Sequence, residues 1–252
     1  FYESKTSRLN FRMREVYLKH LVIGYLGSIG SRHYRLLQEA GEEVEGTDIN
    51  GVAHWEDKDM VWVCTPDKAK DNYVIEALHQ NKKIFVEKPY GSFNEGKIWV
   101  ACNYRFHPAV QVLRQSLPMV GKVLFARLHF SHYLPYQREN WKEYMKGTDI
   151  ILDAGWHFVD LAIHLFGKVD TWSTMDNSLE LGCNDTAQFW LRHKDSSTYI
   201  WCDYLRRDKS WGIEVIGTEG TLTLKGYGNT LPGVTVEFSS HLERYNLFGK
   251  NV

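Results

Sequence analysis

The apolar positions change period once along the chain. Up to about residue 100 they fall in short buried runs: His20-Leu-Val-Ile-Gly24, Met60-Val-Trp-Val-Cys-Thr-Pro66 and Lys83-Ile-Phe-Val86. Between these runs, Ile29 to Ala40 and Ala69 to Gln80 carry helical spacing, and Glu43 to Asp48 reads as a further strand. Strands alternating with helices imply a parallel sheet, with any ligand lying off the carboxyl ends of its strands. Beyond Asn103 the period becomes that of strands: Lys122–Tyr133, Val169–Met175, Thr186–His193, Ser197–Leu205, Gly212–Gly217, Gly220–Lys225 and Val234–Phe238. Short links such as Lys194-Asp195 and Thr218-Glu219-Gly220 indicate antiparallel hairpins, and a helix is expected near 109–117.

One stretch in this second half breaks the strand pattern. Thr148 to Gly167, TDIILDAGWHFVDLAIHLFG, is apolar almost all round, as a buried helix is. Asp153, His157, Asp160 and His164 recur at spacings of four, three and four. At the helical period they occupy an arc of roughly 60°. A carboxylate and an imidazole at i and i+4 can hydrogen-bond, which fixes the ring tautomer and raises its basicity, as a general base requires. The plainer reading is a core helix with hydrogen-bonded histidines. Thr148 or Asp149 can cap the start and Gly167 can close the end. Gly155 inside the helix suggests close approach of another backbone or a flat ligand.

In the first half, Gly24-Tyr-Leu-Gly27-Ser28-Ile29-Gly30 joins a strand to a helix. Unpaired backbone N–H groups and the helix dipole favour an anion there, and glycine lets a pyrophosphate approach the backbone. The spacing is GxxGxxG in place of GxGxxG. Asp48 lies at the end of the next strand, where a carboxylate can accept from both ribose hydroxyls; with no arginine immediately after it, NAD is favoured and NADP is possible. Thr65-Pro66 and Glu87-Lys88-Pro89 occupy further strand ends. A lysine at position 88 could donate to a substrate oxygen.

Composition narrows the class. Thirty Lys and Arg balance 31 Asp and Glu, leaving no basic surplus for nucleic acid. No apolar run is long enough to span a membrane and the N-terminus has no signal-peptide core, so a cytoplasmic protein is expected. Cys64, Cys102, Cys183 and Cys202 read as buried free thiols. No cysteine and histidine cluster offers a metal site.

The order GYLGSIGSRH, VWVCTP, ALHQNKKIFVEKP, NYRFHP, DAGWHFVDLAIHLFG and VIGTEGTL resembles the glucose-fructose oxidoreductase, inositol dehydrogenase and rhizopine-catabolism (Gfo/Idh/MocA) family, from about Leu21 to Leu224. The resemblance implies an NAD(P)-dependent oxidoreductase acting on a secondary alcohol or ketone of a sugar, cyclitol or nucleotide-sugar. It places catalytic roles on Lys88, Asp153 and His157. Cofactor contacts fall to Gly24, Gly27, Ser28, Ile29, Gly30, Asp48, Thr65, Pro66, Glu87 and Lys88, and substrate contacts to Tyr104, Arg105, Asp160 and His164. The run Tyr133 to Tyr144 is similar to a segment of members that serve nucleotide-sugar and nonulosonate pathways.

The expected fold class is an α/β N-terminal Rossmann domain with a parallel sheet, followed by an α+β C-terminal domain with an open, mostly antiparallel sheet. Residues 1–20 form a leader, 21–102 the dinucleotide domain and 103–252 the substrate and oligomerisation domain. Trp190, Tyr199, Trp201 and Tyr204 are candidates for an outer sheet face that packs on a second copy, as dimer or tetramer. The sequence departs from the family at the glycine spacing and at Lys70, where histidine is frequent. Too few residues separate Asp48 from Met60 for another helix and strand. The alternatives are a non-catalytic nicotinamide-binding scaffold of the same fold, or an enzyme acting on an imine or a tetrapyrrole.

Overall fold

The computed structural model describes residues 18–48, 51, 53–92, 97–227 and 234–249. The chain divides into two compact units at the Ala101–Cys102 boundary. Most of the expected leader, residues 1–17, lies outside the described residues.

The first unit runs β1 (Lys19–Ile23), α1 (Ser28–Glu39), β2 (Glu43–Thr47), β3 (Met60–Val63), α2 (Asp67–His79), β4 (Lys83–Val86) and β5 (Ile98–Val100). Its strands form one parallel sheet in the order β2-β1-β3-β4-β5. Chain order reverses between β1 and β3, which makes the topological switch point of a doubly wound sheet. The full Rossmann order has one more strand outside β2. Among the described residues no such strand is present, in keeping with the short stretch between Asp48 and Met60. Leu21, Ile23, Val61, Val63, Ile84 and Val86 pack with Val74 and Ala77 of α2 in the core. Each of the valine, leucine and isoleucine side chains contributes roughly 1.5–3 kcal/mol by leaving water.

The glycine turn closes by the removal of side chains. Gly24 has φ +83, and a Cβ there would lie 2.8 Å from the Cys64 carbonyl oxygen. A Cβ on Gly30 would come within 2.0 Å of the Gly24 carbonyl oxygen, so α1 can start this close to β1 only with glycine at that position.

The second unit begins with a 3-10 turn (Asn103–Phe106), α3 (Pro108–Ser116), a second 3-10 turn (Leu117–Val120) and β6 (Val123–Ser131). Two single-turn helices, α4 (Leu134–Gln137) and α5 (Trp141–Tyr144), lead to a π turn (Ile151–Gly155) and α6 (Trp156–Phe166). Seven strands follow: β7 (Val169–Asn177), β8 (Thr186–His193), β9 (Ser197–Asp203), β10 (Ser210–Gly217), β11 (Thr221–Tyr227), β12 (Val234–Ser239) and β13 (Arg244–Phe248). With β6 they make an eight-stranded sheet in the order β13-β12-β11-β10-β6-β9-β8-β7. All its pairings are antiparallel except β6 with β9, because the helices intervene between those two strands. Val110 and Leu113 of α3 and Phe158, Leu161, Ala162 and Leu165 of α6 share one core with Ala126, Leu128, Phe189, Ile200, Ile213 and Leu222 of the sheet.

Several expectations need correction. The helix expected over 148–167 is two segments, since the backbone passes through a π turn before α6 begins. It is also less buried than its composition suggests, with Ile163 exposed. A Cβ on Gly155 would meet the Phe189 ring at 2.8 Å, so the flat group held there is a side chain of β8. Of the free cysteines, Cys202 is buried and the other three are intermediate. Tyr204 lies in the core and not on the outer sheet face. Among the described residues, no helix is long and apolar enough to cross a membrane.

Gly30→Ala is expected to cost about 3 kcal/mol or to prevent folding. Gly41→Ala, where φ is +81 but nothing lies within 4 Å, should cost only about 1–2 kcal/mol. Urea denaturation midpoints of the two variants test the difference.

Candidate active site

In the first unit the sequence-selected residues gather at one edge of the sheet. Gly24 follows β1, Asp48 follows β2, Thr65 and Pro66 follow β3, and Glu87 and Lys88 follow β4. Backbone hydrogen bonds continue past the strand ends, from Gly24 N–H to Thr47 O (2.9 Å) and from Glu87 N–H to Val63 O (3.0 Å), which keeps these residues in register. Gly27 is the N-cap of α1 and contributes no side-chain cap, so the helix start offers its backbone donors at Ser28, Ile29 and Gly30. The Asp48 carboxylate accepts from the Leu26 N–H (3.3 Å), tying the acid to the turn. The buried Thr65 hydroxyl has no hydrogen-bond partner among the described residues, a state that a bound polar group would relieve. These features fit a dinucleotide: a pyrophosphate at the glycine turn and a ribose at Asp48. Glu87 also has a partner within the unit. His33 of α1 meets its carboxylate at 2.8 Å, so Glu87 anchors the helix to the strand end.

In the second unit, Tyr104, Phe130, Asp153, Ala154, His157 and Phe158 line a recess of about 110 Å³. Tyr104 stacks on His157 with ring centroids 4.8 Å apart and on Trp211 at 5.7 Å. Burial pushes the Tyr104 phenol up to about 12, with the Asp153 charge adding to the effect. Asp153 sits in the π turn, where the 100° step of an α-helix does not apply; the arc drawn from the sequence therefore fails at its first member. Its carboxylate accepts a hydrogen bond from the Tyr204 hydroxyl at 2.6 Å. Asp149 caps the segment as expected, its Oδ1 accepting from the Leu152 N–H at 2.9 Å.

Asp160 and Arg105 find each other. The guanidinium donates through Nε to Oδ2 at 2.6 Å and through a second nitrogen to Oδ1, a two-point pairing that braces the 3-10 turn against α6. His164 stands one turn further along, its buried Nε2 without a hydrogen-bond partner among the described residues. Burial lowers its pKa, helped by Arg114 and Arg105 and opposed by Asp160.

Three residues near Asp153 were not among the site residues expected from the sequence. Tyr204 is fully buried, and burial followed by the Asp153 charge raises its pKa far above that of a free phenol. His132, also buried, is pushed down to about 4 by burial, aided by Lys209 and opposed by Asp153 and Asp203. Lys209 is half-buried, with its pKa lowered by burial and raised in part by Asp153. The signal for Tyr204 was present in the sequence: a phenol at the end of a buried strand needs a partner for its hydroxyl.

No curated protein matches the sequence. Residues 118–223 match the family model for the GFO/IDH/MocA C-terminal domain. Over this stretch the chain is similar to the C-terminal domain of that family. Solved structures agree in fold. UDP-N-acetylglucosamine 3-dehydrogenase GnnA from Acidithiobacillus ferrooxidans superposes with a TM-score of 0.75 at 16% identity, over 94% of this chain and 85% of that one. An oxidoreductase from Agrobacterium radiobacter, in complex with NAD+, L-tartaric acid and magnesium, gives 0.70 at 18% identity, over 93% and 80%. A protein described as an NADPH-dependent oxidoreductase, from Desulfitobacterium hafniense, gives 0.76 at 15%, over 93% and 84%.

A pH dependence follows from His132. Its folded-state pKa lies below the ordinary value of 6.5, so the stability linked to it is complete above that pH and is lost as pH falls toward about 4. The urea midpoint should therefore drop between pH 7 and 4.5, and less steeply in His132→Asn; equal slopes would remove this assignment.

Proposed function

We propose that the chain is an NAD(P)-dependent dehydrogenase or reductase that moves hydride between a nicotinamide cofactor and a secondary alcohol or ketone of a sugar, cyclitol or nucleotide-sugar. The observation that carries the reading is the uncapped start of α1 behind its glycine turn, with Asp48 bonded into that turn and Lys88 at a neighbouring strand end. Ser28, Ile29 and Gly30 would hold the pyrophosphate through their N–H groups, and Asp48 the ribose hydroxyls. A carboxylate at that position favours NAD over NADP, because a 2′-phosphate would meet a like charge. The nicotinamide, when bound, supplies the hydride acceptor or donor.

The chain's own groups then manage the proton. In the first unit Lys88 is the candidate hydrogen-bond donor to a reacting oxygen, and in the second unit His157 is the candidate for exchanging a proton, help of a kind that contributes about 10² to 10⁴-fold. Asp153, already held by Tyr204, orients His157 or a substrate hydroxyl through its remaining acceptor capacity. Tyr104, stacked on His157 and Trp211, lines the same recess, while the paired Arg105 and Asp160, and His164 beyond, are the candidates for more distant hydroxyls. Aromatic faces next to a carboxylate suit a polyol, whose C–H face packs on rings and whose hydroxyls seek acceptors. A neighbour that is a UDP-N-acetylglucosamine 3-dehydrogenase, and another that holds NAD+ and L-tartaric acid, support the polyhydroxylated class.

The same reading extends to assembly. Met175, Gln188 and Trp201 form one cross-strand row on the outer sheet face, and Ser173, Trp190 and Tyr199 form the next. Trp190 is 51% exposed and Met175 59%. We infer that a second copy covers this face, giving a dimer or a dimer of dimers. Trp190→Glu should shift the sedimentation coefficient toward that of a single chain; an unchanged value, or a wild-type chain that sediments alone, would contradict the inference.

The activity is tested with a panel of sugars, cyclitols, sugar acids and nucleotide-sugars, read at the absorbance band of the reduced cofactor. Turnover is expected with at least one of them, and Lys88→Met and His157→Ala should each lower it by about 10² to 10⁴-fold while NADH affinity stays largely intact. A Lys88→Met enzyme of normal rate would remove the mechanism, and silence across the panel would favour a binding protein without catalysis.

A further inference from the structure

Lys70 is a lysine in an unusual place. It lies in α2, and its side chain is almost completely buried, with 3% exposure. Its ammonium donates to the Lys88 carbonyl oxygen at 2.9 Å and to the Pro89 carbonyl oxygen at 3.3 Å. A buried ammonium has given up its hydration and persists only where acceptors replace the water. Among its acceptors are two consecutive backbone carbonyls of the turn that carries Lys88.

The turn needs that donor. Pro89 has no N–H, so this stretch of backbone contributes one donor fewer than any other sequence would, while both carbonyls still require partners. The ammonium of Lys70 carries three donors and reaches the turn from the helix that follows the neighbouring strand. Holding the Lys88 carbonyl fixes the peptide plane next to the Lys88 Cα, and with it the direction in which that side chain leaves the sheet edge. The nearby Cys64 thiol cannot serve as a counter-charge, since burial and Glu87 push it up to about 12 despite the opposing effect of Lys70.

We propose that Lys70 is a positioning residue for Lys88, clamping the turn after β4 so that the Lys88 amine is presented in one direction. The inference rests on the reading of Lys88 as the group that meets the reacting oxygen. It assigns Lys70 no contact with substrate or cofactor.

The test compares Lys70→Met, Lys70→Arg and Lys88→Met in the full chain. For each, kcat and KM are measured on the substrate found by the panel, NADH affinity by fluorescence titration, and stability by thermal midpoint. A fourth readout needs no substrate: trace acetylation of the Lys88 amine by acetic anhydride, quantified by mass spectrometry. Lys70→Met is expected to lower kcat by about 10- to 100-fold with KM and NADH affinity near those of the unmodified chain. It should also change the Lys88 acetylation rate several-fold, and Lys70→Arg should restore most of both.

Unaltered kcat and unaltered labelling in Lys70→Met would overturn the proposal. So would a fall in thermal midpoint and NADH affinity with kcat per folded enzyme unchanged, which is what a merely structural lysine gives. If Lys70→Met does not fold, Lys70→Gln takes its place, and the same two outcomes decide. If Lys88→Met turns over normally, the role of Lys88 fails, and the labelling of Lys88 in Lys70→Met still decides whether Lys70 sets that side chain.

Discussion

The first unit depends on a space too small for a methyl group. At Gly30 the distance that a Cβ would have to the Gly24 carbonyl oxygen is 2.0 Å, so the N-terminus of α1 and the end of β1 can meet only across glycine. That contact aims uncapped N–H groups at the carboxyl edge of a parallel sheet. Once the helix start is fixed there, the parallel arrangement brings the ends of β2, β3 and β4 to the same edge. Asp48, Thr65 and Lys88 arrive together because of topology, although they are distant in sequence.

The second unit turns on a different restraint. Asp153 lies in the π turn at Ile151–Gly155, and the fully buried Tyr204 hydroxyl donates to its carboxylate. Tyr204 is itself held by its neighbours: its N–H donates to the Asp185 carbonyl at 2.8 Å. The completely buried Asp185 carboxylate in turn accepts from the N–H groups of Leu179, Glu180 and Leu181. A rigid acceptor beside an aromatic recess is thus built from groups that the loops supply, not from the helix alone. Such irregular turns occur frequently at functional sites.

These differences explain what could be read from the chain and what could not. Apolar runs such as Leu21–Ile23 and Lys83–Val86, and the glycines around them, gave the parallel sheet because the strands are buried on both faces and punctuated by turns. β8 was legible residue for residue, since alternating burial writes a period of two into the sequence. β5 and β13 were not foreseen; each is short and largely exposed, so neither carries that period. The ionisable stripe on the later helix was visible, but its geometry was extrapolated across a π turn that no local composition announces. Pairings such as Arg105 with Asp160, His33 with Glu87 and Lys70 with the Lys88 carbonyl depend on tertiary placement, and the spacing of residues does not encode them.

The most direct test of the central claim is a crystal structure of the chain grown with NADH. The expected result is pyrophosphate on the backbone N–H groups of Ser28, Ile29 and Gly30, ribose hydroxyls on Asp48, and C4 of the nicotinamide facing the Lys88 amine. Cofactor ordered elsewhere on the molecule, or no calorimetric binding of NADH at millimolar concentration, would contradict it.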